Sequence, residues 1–330
     1  MSKIAVVGAT GLVGENMLKM LEKQNIPFES LVLFSSEKSA GKEITFQGKT
    51  YIVEALTEEK ARAHFDYVLM SAGGQTSLKY SPIFESAGAI VIDNSSAFRM
   101  FEDIDLIVPE VNEPKLKRGI IANPNCSTIQ SVVPLKYLND QFGITRVNYT
   151  TYQAVSGSGV KGKQDLLNGE KGLPPQNYPH PIYNNVLPHI DDFLENGYTK
   201  EEQKMIDETR KILNLPDLKV SATCVRVPVL DSHSVLINVT LDKPTTVEEI
   251  KRVFESAEHV VLIDNPSNNE YPLAINSTGK DEVFVGRIRQ DDSLDNTFYI
   301  WCTADNLLKG AALNAVQILK QLLDKGLKRQ

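Results

Sequence analysis

The chain is poor in cysteine, with three among 330 residues. So small and odd a number builds no disulfide framework and fits a reducing compartment, the cytoplasm. Long apolar runs are also missing, and no stretch reaches the about 20 residues of a membrane span. The opening Met-Ser-Lys leads through Ile4–Val7 straight into a glycine turn. That run is too short for a secretory leader. Positive charge is not in excess: 35 Lys and Arg stand against 42 Asp and Glu, a net charge of −7. Such a chain has no global attraction to nucleic acid or to an anionic membrane, although a local basic pocket for a phosphate stays open. Internal repeats and low-complexity tracts are absent. What is present is the composition of a soluble globular protein, 42% apolar, 23% charged and 7% aromatic. The length suggests two domains and allows a sizeable core without covalent staples.

The first third alternates short apolar runs with helical patterns. Ile4–Val7 ends at Gly8, and Val13–Leu21 has apolar residues at helical spacing. Leu31–Phe34, Tyr67–Met70, Ala89–Ile92, Asp105–Val108 and Gly119–Ala122 read as further strands. Apolar strands with intervening helices indicate a doubly wound parallel sheet, whose ligands bind beyond the carboxyl ends of the strands. After about residue 127 the texture changes. Arg146–Val155, Lys219–Val229 and Ser234–Leu241 are longer and more nearly alternating, as in an antiparallel sheet with one open face. Thr223, Val225, Val227 and Val229 share one face there, with Cys224, Arg226 and Pro228 on the other. Gly172–Pro188, rich in Pro, Asn and Tyr, reads as an ordered loop. Thr199–Leu213, Thr246–Ala257 and Leu307–Lys328 read as helices, the second with Glu248 and Glu249 in its first turn.

Residues 8–14 read Gly-Ala-Thr-Gly-Leu-Val-Gly between a strand and a helix. Glycines there let the backbone approach a pyrophosphate, which the N–H groups and dipole of the next helix attract. The spacing is GxxGxxG rather than GxGxxG, and a plain tight turn is the alternative. The second strand ends Phe34-Ser35-Ser36, followed by Glu37 and Lys38. An NAD site usually has an acidic residue at this strand end to hold the ribose 2′-OH. Hydroxyls and Lys38 instead suit a 2′-phosphate and favour NADP, while Glu37 opposes it unless it points away. An ordinary polar loop is the other reading.

Residues 123–128 read Asn-Pro-Asn-Cys-Ser-Thr. Ser127 or Thr128 is expected to cap a helix running into Ile129, Val132 and Val133, kinked at Pro134. That would set the Cys126 sulfur near a helix N-terminus, where the dipole favours the thiolate needed to attack an acyl or aldehyde carbon. Cys224 and Cys302 lie in strand patterns and read as inert core residues.

With these motifs stand TYQAVSGSG at 151–159, RVPVLDSHS at 226–234 and DNLLKGAALNAVQI at 305–318. Together with GATGLVG and NPNCST, in that order, they make the chain resemble the aspartate-β-semialdehyde dehydrogenase family, in its shorter bacterial form, over almost the whole length. The resemblance implies a Rossmann-like doubly wound parallel sheet plus an α+β catalytic and dimerisation domain with a mainly antiparallel sheet. Residues 1–127, rejoined by the terminal helix 306–330, would bind NADP, and 128–305 would carry catalysis and dimerisation. The implied reaction is the reversible reductive dephosphorylation of L-aspartyl-4-phosphate to aspartate semialdehyde with NADPH, leading to lysine, threonine, methionine and diaminopimelate. The expected partners are this small substrate, phosphate and further copies of the chain, as a homodimer or homotetramer. No metal is expected.

By the same resemblance Cys126 is the nucleophile that forms an acyl-thioester, and His233 is the general base that takes its proton. Spacing alone would make His233 a satisfied core histidine, since Val235, Ile237 and Val239 alternate after it. Gln153 matches the residue that orients the acyl group; otherwise it is a polar residue facing water. Arg226 matches the holder of the substrate α-carboxylate, a task suited to a planar fork. Arg99 in SSAFRM matches a phosphate-binding arginine. Glu201 and Lys204, three apart on one helix, are implied contacts for the substrate amine and for phosphate. A solvated ion pair opposite the stripe Met205, Ile206, Thr209, Ile212 and Leu213 explains the same pattern. On the cofactor side Gly8, Thr10, Gly11, Leu12, Val13 and Gly14 match the pyrophosphate turn, and Ser35, Ser36 and Lys38 the 2′-phosphate end. The family often has arginine where Lys38 stands. Ser156, Gly157 and Asn306 match positions near the nicotinamide.

Two other readings stay in view. N-acetyl-γ-glutamyl-phosphate reductase shares the fold and chemistry, but its cysteine motif is GCYPT-like. A non-catalytic NADP-binding sensor would lack a competent nucleophile, whereas Cys126, Gln153, Arg226 and His233 occur together. Glyceraldehyde-phosphate dehydrogenase is more distant, because its SCTTNC motif is absent.

Overall fold

The computed structural model describes residues 2–327. The described chain divides into two compact units, one running to Pro124 and resuming at Ala311, the other Asn125–Gly310. The sequence reading places the breaks after residue 127 and before 306. A break after 127 would cut a continuous helix, Cys126–Phe142.

In chain order the first unit contains β1 (Lys3–Val7), α1 (Leu12–Lys23), β2 (Ser30–Ser35), β3 (Glu43–Phe46), β4 (Lys49–Ile52), β5 (Glu54–Ala55), α2 (Glu58–Ala61), β6 (Tyr67–Met70), α3 (Gly74–Ser86), β7 (Ile90–Asp93), β8 (Asp105–Leu106) and β9 (Ile120–Ala122). Seven strands form one parallel sheet in the order β5-β2-β1-β6-β7-β9-β8, and β3 and β4 form a separate hairpin. Every residue of β6 and β7 is buried, as strands covered on both faces require. β8 is shorter than expected, because the Val108 N–H turns to the Asn112 side chain at 3.0 Å.

The second unit contains α4 (Cys126–Phe142), β10 (Ile144–Gln153), α5 (Gly159–Glu170), α6 (Lys200–Leu213), β11 (Lys219–Arg226), β12 (His233–Leu241), α7 (Val247–Ser256), β13 (Val260–Leu262), α8 (Ala274–Ser277), β14 (Val283–Gln290) and β15 (Thr297–Ala304). Its sheet runs β11-β10-β12-β15-β14-β13 and is mixed rather than purely antiparallel. β10 pairs with β11, and β13 with β14, in parallel. The long β10–β11 connection, which includes α5 and α6, permits the first parallel pair. On β11 the buried face carries Ala222, Cys224 and Arg226, not the valines, and α6 packs against this strand. β10 and β11 end, and antiparallel β12 begins, at one edge, where Gln153 stands beside Arg226 and His233 opposite Ala304.

α4 runs unbroken through Pro134. Proline offers no N–H to the carbonyl four residues back. That carbonyl, of Gln130, accepts the Cys302 thiol at 3.4 Å instead. The terminal segment is not one helix: a π turn, Leu308–Ala312, precedes α9 (Leu313–Asp324), and Lys328 lies outside the described residues. No helix among the described residues is long and apolar enough to cross a membrane.

The segment after α5 is ordered by one carboxylate. Asp165 accepts the main-chain N–H groups of Gln176, Asn177 and Tyr178 at 2.8, 2.8 and 2.9 Å. The Tyr178 hydroxyl then reaches Ser158 at 3.0 Å, and Tyr178 packs on Val155, Leu166, Ile182 and Leu187. Desolvation pushes the Asp165 carboxyl up, but the three N–H donors outweigh it and hold the group below its ordinary 3.8. Asp165→Asn should therefore cost about 2 kcal/mol at pH 7. A carboxylate depressed by folding stabilises above its unfolded pKa and loses that contribution as pH falls through the folded one. The gap between wild type and variant in urea unfolding should thus narrow below pH 3.8. An unchanged gap at pH 2.5, about a unit lower, would contradict the assignment.

Candidate active site

In the first unit the glycine turn is sterically compulsory. A Cβ on Gly8, whose φ is +81°, would lie 2.3 Å from the Ser71 carbonyl oxygen, and one on Gly14 would lie 2.1 Å from the Gly8 carbonyl oxygen. Gly11 is the N-cap of α1, and Leu12 and Val13 begin its first turn. The N–H groups of Gly8 and Ala9 hold the turn on the Phe34 carbonyl at 2.8 and 3.1 Å. Thr10 and Ser35 share a hydroxyl hydrogen bond of 2.8 Å, joining the turn to the end of β2. Ser36, Glu37 and Lys38 are exposed, the last two in a single 3-10 turn. The backbone cradle and the hydroxyls at the strand end fit a dinucleotide phosphate group.

Arg99 is buried in the same unit. Its Nε donates to the Asn123 carbonyl at 2.9 Å and its Nη2 to the Asn94 carbonyl at 3.0 Å. Asn123 is held in turn by Asn94 Oδ1 at 2.7 Å and by Asn314 Nδ2 at 2.7 Å.

In the second unit Cys126 is the first residue of α4 and is half-buried. The cap is Asn125, not Ser127 or Thr128. Asn125 Oδ1 accepts the N–H groups of Ser127 and Thr128 at 2.9 and 3.3 Å. Its Nδ2 donates to Glu201 Oε1 at 2.8 Å, and its main-chain N–H to Glu208 Oε2 at 2.6 Å. Against Cys126 lies Gly310 in the π turn, where a Cβ would fall 2.9 Å from the cysteine Cβ.

Glu201 is buried, so it does not share a solvated face with Lys204 as the ion-pair reading required. It also accepts Gln153 Nε2 at 3.1 Å and Lys204 Nζ at 3.2 Å. Burial pushes its carboxyl up, but Lys204, the amides of Asn125 and Gln153, and Arg226 outweigh that and keep it ionised. Glu202 has a different task. It closes a capping box with Thr199 and accepts the Cys224 N–H at 3.0 Å. Gln153 is oriented by Thr151, which donates to its Oε1 at 3.0 Å. Half-buried Lys204 also pairs with Asp191 at 2.7 Å.

Ala154 follows Gln153. Its N–H donates to His233 Nδ1 at 3.0 Å, and its carbonyl accepts Arg226 Nη1 at 2.7 Å. Arg226 is buried, and among the described residues its Nε has no partner. His233 is fully buried, and burial together with the Arg226 charge holds it neutral, well below its ordinary 6.5. With Nδ1 accepting, the neutral ring carries its proton on Nε2, which has no partner among the described residues. Nε2 is therefore a donor at rest. The base's part expected of His233 needs the other tautomer, with Nε2 unprotonated and able to accept. Ser232, just before it, has a left-handed φ of +70° and is held by Asn306 Oδ1 at 2.9 Å. Asn306 Nδ2 also donates to Ser156 at 3.0 Å. Cys224 and Cys302 are fully buried, and burial pushes the thiol of Cys302 up to about 12. They are poor nucleophiles.

The second-unit residues taken from the sequence thus converge at one strand edge and one helix start. Asn125, Glu208, Ala154 and Gly310 were missed. Asn125 stood legibly beside the cysteine, but a buried Glu208 and a main-chain contact leave no sequence signal.

Residues 3–119 match the family described as semialdehyde dehydrogenase, NAD binding domain, and residues 135–309 match semialdehyde dehydrogenase, dimerisation domain. The class is therefore a two-domain semialdehyde dehydrogenase. The chain is 52% identical to aspartate-semialdehyde dehydrogenase of Aquifex aeolicus, covering 98% of this chain and 99% of that one. Aspartate semialdehyde dehydrogenase II of Vibrio cholerae, solved in complex with ASA, superposes with a TM-score of 0.93 at 42% identity over 98% of both chains. The Candida albicans enzyme, solved with NADP, gives 0.77 at 27% identity over 99% of this chain and all of that one. The chain belongs to the aspartate-semialdehyde dehydrogenase family.

Gly157 gives a test of this geometry. A Cβ there would come 2.8 Å from Arg226 Nη1 and 3.3 Å from His233 Nε2. The guanidinium is the far end of a flexible side chain, so the fold can yield, but the group must move. Gly157→Ala should lower kcat/KM by about 10-fold or more, as for a displaced charge-assisted contact, with less than about 1 kcal/mol lost from stability. Steady-state kinetics beside urea unfolding measure both. Wild-type kinetics would show that Arg226 and His233 do not meet substrate here.

Proposed function

We propose that the chain catalyses the reversible reductive dephosphorylation of L-aspartyl-4-phosphate to L-aspartate 4-semialdehyde and phosphate. Cys126 carries the proposal, at the start of a helix whose cap residue is held by an ionised buried carboxylate. The Cys126 sulfur bonds to the acyl carbon, and the phosphate leaves with the electrons of the broken carbon–oxygen bond. NADPH, when bound, supplies the hydride that reduces the thioester carbon. The carbon–sulfur bond then breaks, freeing the aldehyde and returning the thiolate. His233 takes the Cys126 thiol proton at Nε2, in the tautomer that leaves Nε2 unprotonated, and the imidazolium so formed donates to the acyl oxygen as charge builds there. Gln153 orients the acyl group.

Arg226 holds the α-carboxylate and Glu201 the α-ammonium of the substrate. An ionised Glu201 disfavours the N-acetylglutamyl-phosphate alternative, whose substrate has no ammonium to meet it. Arg99 and Lys204 hold the phosphoryl group, so phosphate at Lys204 competes with the Asp191 carboxylate. Gly8, Thr10, Gly11, Leu12, Val13 and Gly14 would hold the cofactor pyrophosphate, Ser35, Ser36 and Lys38 its 2′-phosphate, and Ser156, Gly157 and Asn306 would lie toward the nicotinamide. The relative solved with NADP supports this choice. The match to a dimerisation domain supports action as a homodimer.

The purified chain should reduce NADP in the presence of aspartate semialdehyde only when phosphate is added, and should not do so with N-acetylglutamate semialdehyde. Cys126→Ala should abolish turnover and leave NADP affinity nearly unchanged, read by fluorescence titration. Turnover surviving in that variant would end the thioester mechanism. Cys224→Ala and Cys302→Ala should stay active.

Cofactor choice is tested separately. Ser35→Asp places a carboxylate where the 2′-phosphate is expected, and like-charge repulsion should shift preference toward NAD by about 10-fold or more. The ratio of kcat/KM for the two cofactors reports this. Equal use of both by the wild type would show that Ser35, Ser36 and Lys38 do not select NADP.

A further inference from the structure

Two carboxylates of α6 converge on one residue of the neighbouring helix terminus. Glu201 and Glu208 lie seven residues apart, two helical turns, and so share a face. Both are buried. Both reach Asn125: Glu201 takes its side-chain Nδ2 at 2.8 Å and Glu208 takes its main-chain N–H at 2.6 Å. The third polar group of that residue, Oδ1, caps α4. The main-chain N–H of an N-cap is an orphan donor that a capping box would satisfy from N3; in α4 N3 is Thr128, and the acceptor comes from α6 instead. An acceptor on another element fixes how the N-cap residue is rotated about its own backbone. The next residue is Cys126, and Gly310 closes its other side so tightly that even a methyl group would collide with the cysteine Cβ.

We propose that Glu208 is a positioning residue: by holding the Asn125 N–H it sets the direction in which Cys126 presents its sulfur. This rests on the reading of Cys126 as the nucleophile. Attack on an acyl carbon tolerates little error, since a displacement of about 1 Å can cost on the order of 100-fold in rate. Glu201 acts on the Asn125 backbone only at one remove, through the side-chain amide that also caps the helix. Glu208 fixes the backbone itself.

Reach and charge separate in two conservative variants. Glu208→Asp keeps the charge and withdraws the acceptor by one methylene. Glu208→Gln keeps reach and acceptor and removes the charge. Glu208→Asp should lose about 30-fold or more in kcat, with KM for aspartate semialdehyde, phosphate and NADP within about 3-fold of wild type. Glu208→Gln should keep kcat within about 3-fold, a rescue that simple loss of a buried charge would not give. Melting curves establish that both are folded. A wild-type kcat in folded Glu208→Asp overturns the proposal, as does a loss that falls on KM alone. A large loss in Glu208→Gln at unchanged KM also overturns it, and that arm decides alone if the aspartate variant does not fold. Failure of the nucleophile reading shows elsewhere, as turnover in Cys126→Ala.

Discussion

Ala154 bonds two side chains of the candidate site through a single residue's backbone. Its N–H meets the ring of His233 and its carbonyl meets the guanidinium of Arg226. Neither group can turn without breaking a buried hydrogen bond, and both bonds move together if the backbone moves. The residue itself is held by its place at the end of β10, between β11 and β12, and by the Val155 N–H on the Val229 carbonyl at 2.8 Å. The pairing also sets charge. Burial, with the Arg226 cation adding to it, keeps the imidazole neutral, and the Ala154 N–H donated to Nδ1 fixes which nitrogen carries the proton. Geometry and tautomer of His233 follow from one peptide segment, and its charge state from burial together with one neighbour.

The helix start at Asn125 complements this edge. Buried carboxylates are costly unless paired and hydrogen-bonded. Glu201 meets that condition with four compensating groups, two of which, Gln153 and Arg226, belong to the strand edge. The same carboxylate therefore satisfies the cap residue of α4 and couples it to the sheet. Gln130, one turn along α4, makes a second tie by donating to the His233 carbonyl at 3.2 Å. Cys126 and His233 are thus referred to one another through rigid elements rather than through loops, the arrangement that near-attack geometry demands.

Much of this was legible in the residues. The short strands of the first third formed within a residue or two of their apolar runs, because strands buried on both faces cannot hide their composition. The alternating segments after residue 127 also formed, but alternation reports faces and not direction, so the parallel β10–β11 pair was invisible. Alternation on β11 likewise did not say which face is packed; Arg226 and Cys224 face inward, against the ordinary preference for valine. The helix at Cys126 was read correctly and its cap was not, because Asn, Ser and Thr all cap well and only geometry chooses among them. Glu201 and Glu202 could not be told apart by spacing. Their hydrogen bonds distinguish them, one in a capping box and one beside the amides of Asn125 and Gln153. The fold was legible through hydrophobic pattern, which sums over many residues. The fine assignment of polar groups was not, since each depends on one or two long-range partners.

The two cationic groups of the second unit differ in a way that suits the proposed chemistry. Arg226 is buried and fastened to a main-chain carbonyl, and removing one partner from such a group is expensive. Lys204 is half-buried, and its partner Asp191 is itself a third exposed and stands on a backbone of left-handed φ, +68°. A pair so exposed contributes little, on the order of 1 kcal/mol or less, so another anion can take the place of Asp191 at small cost. The α-carboxylate of the proposed substrate is present on both sides of the reaction, and a fixed site serves it. Phosphate enters or leaves with every turnover, and a tightly fixed site would retain it. Matching the permanent group to the rigid cation and the transient group to the exchangeable one lets a single site bind both anions and still release one of them.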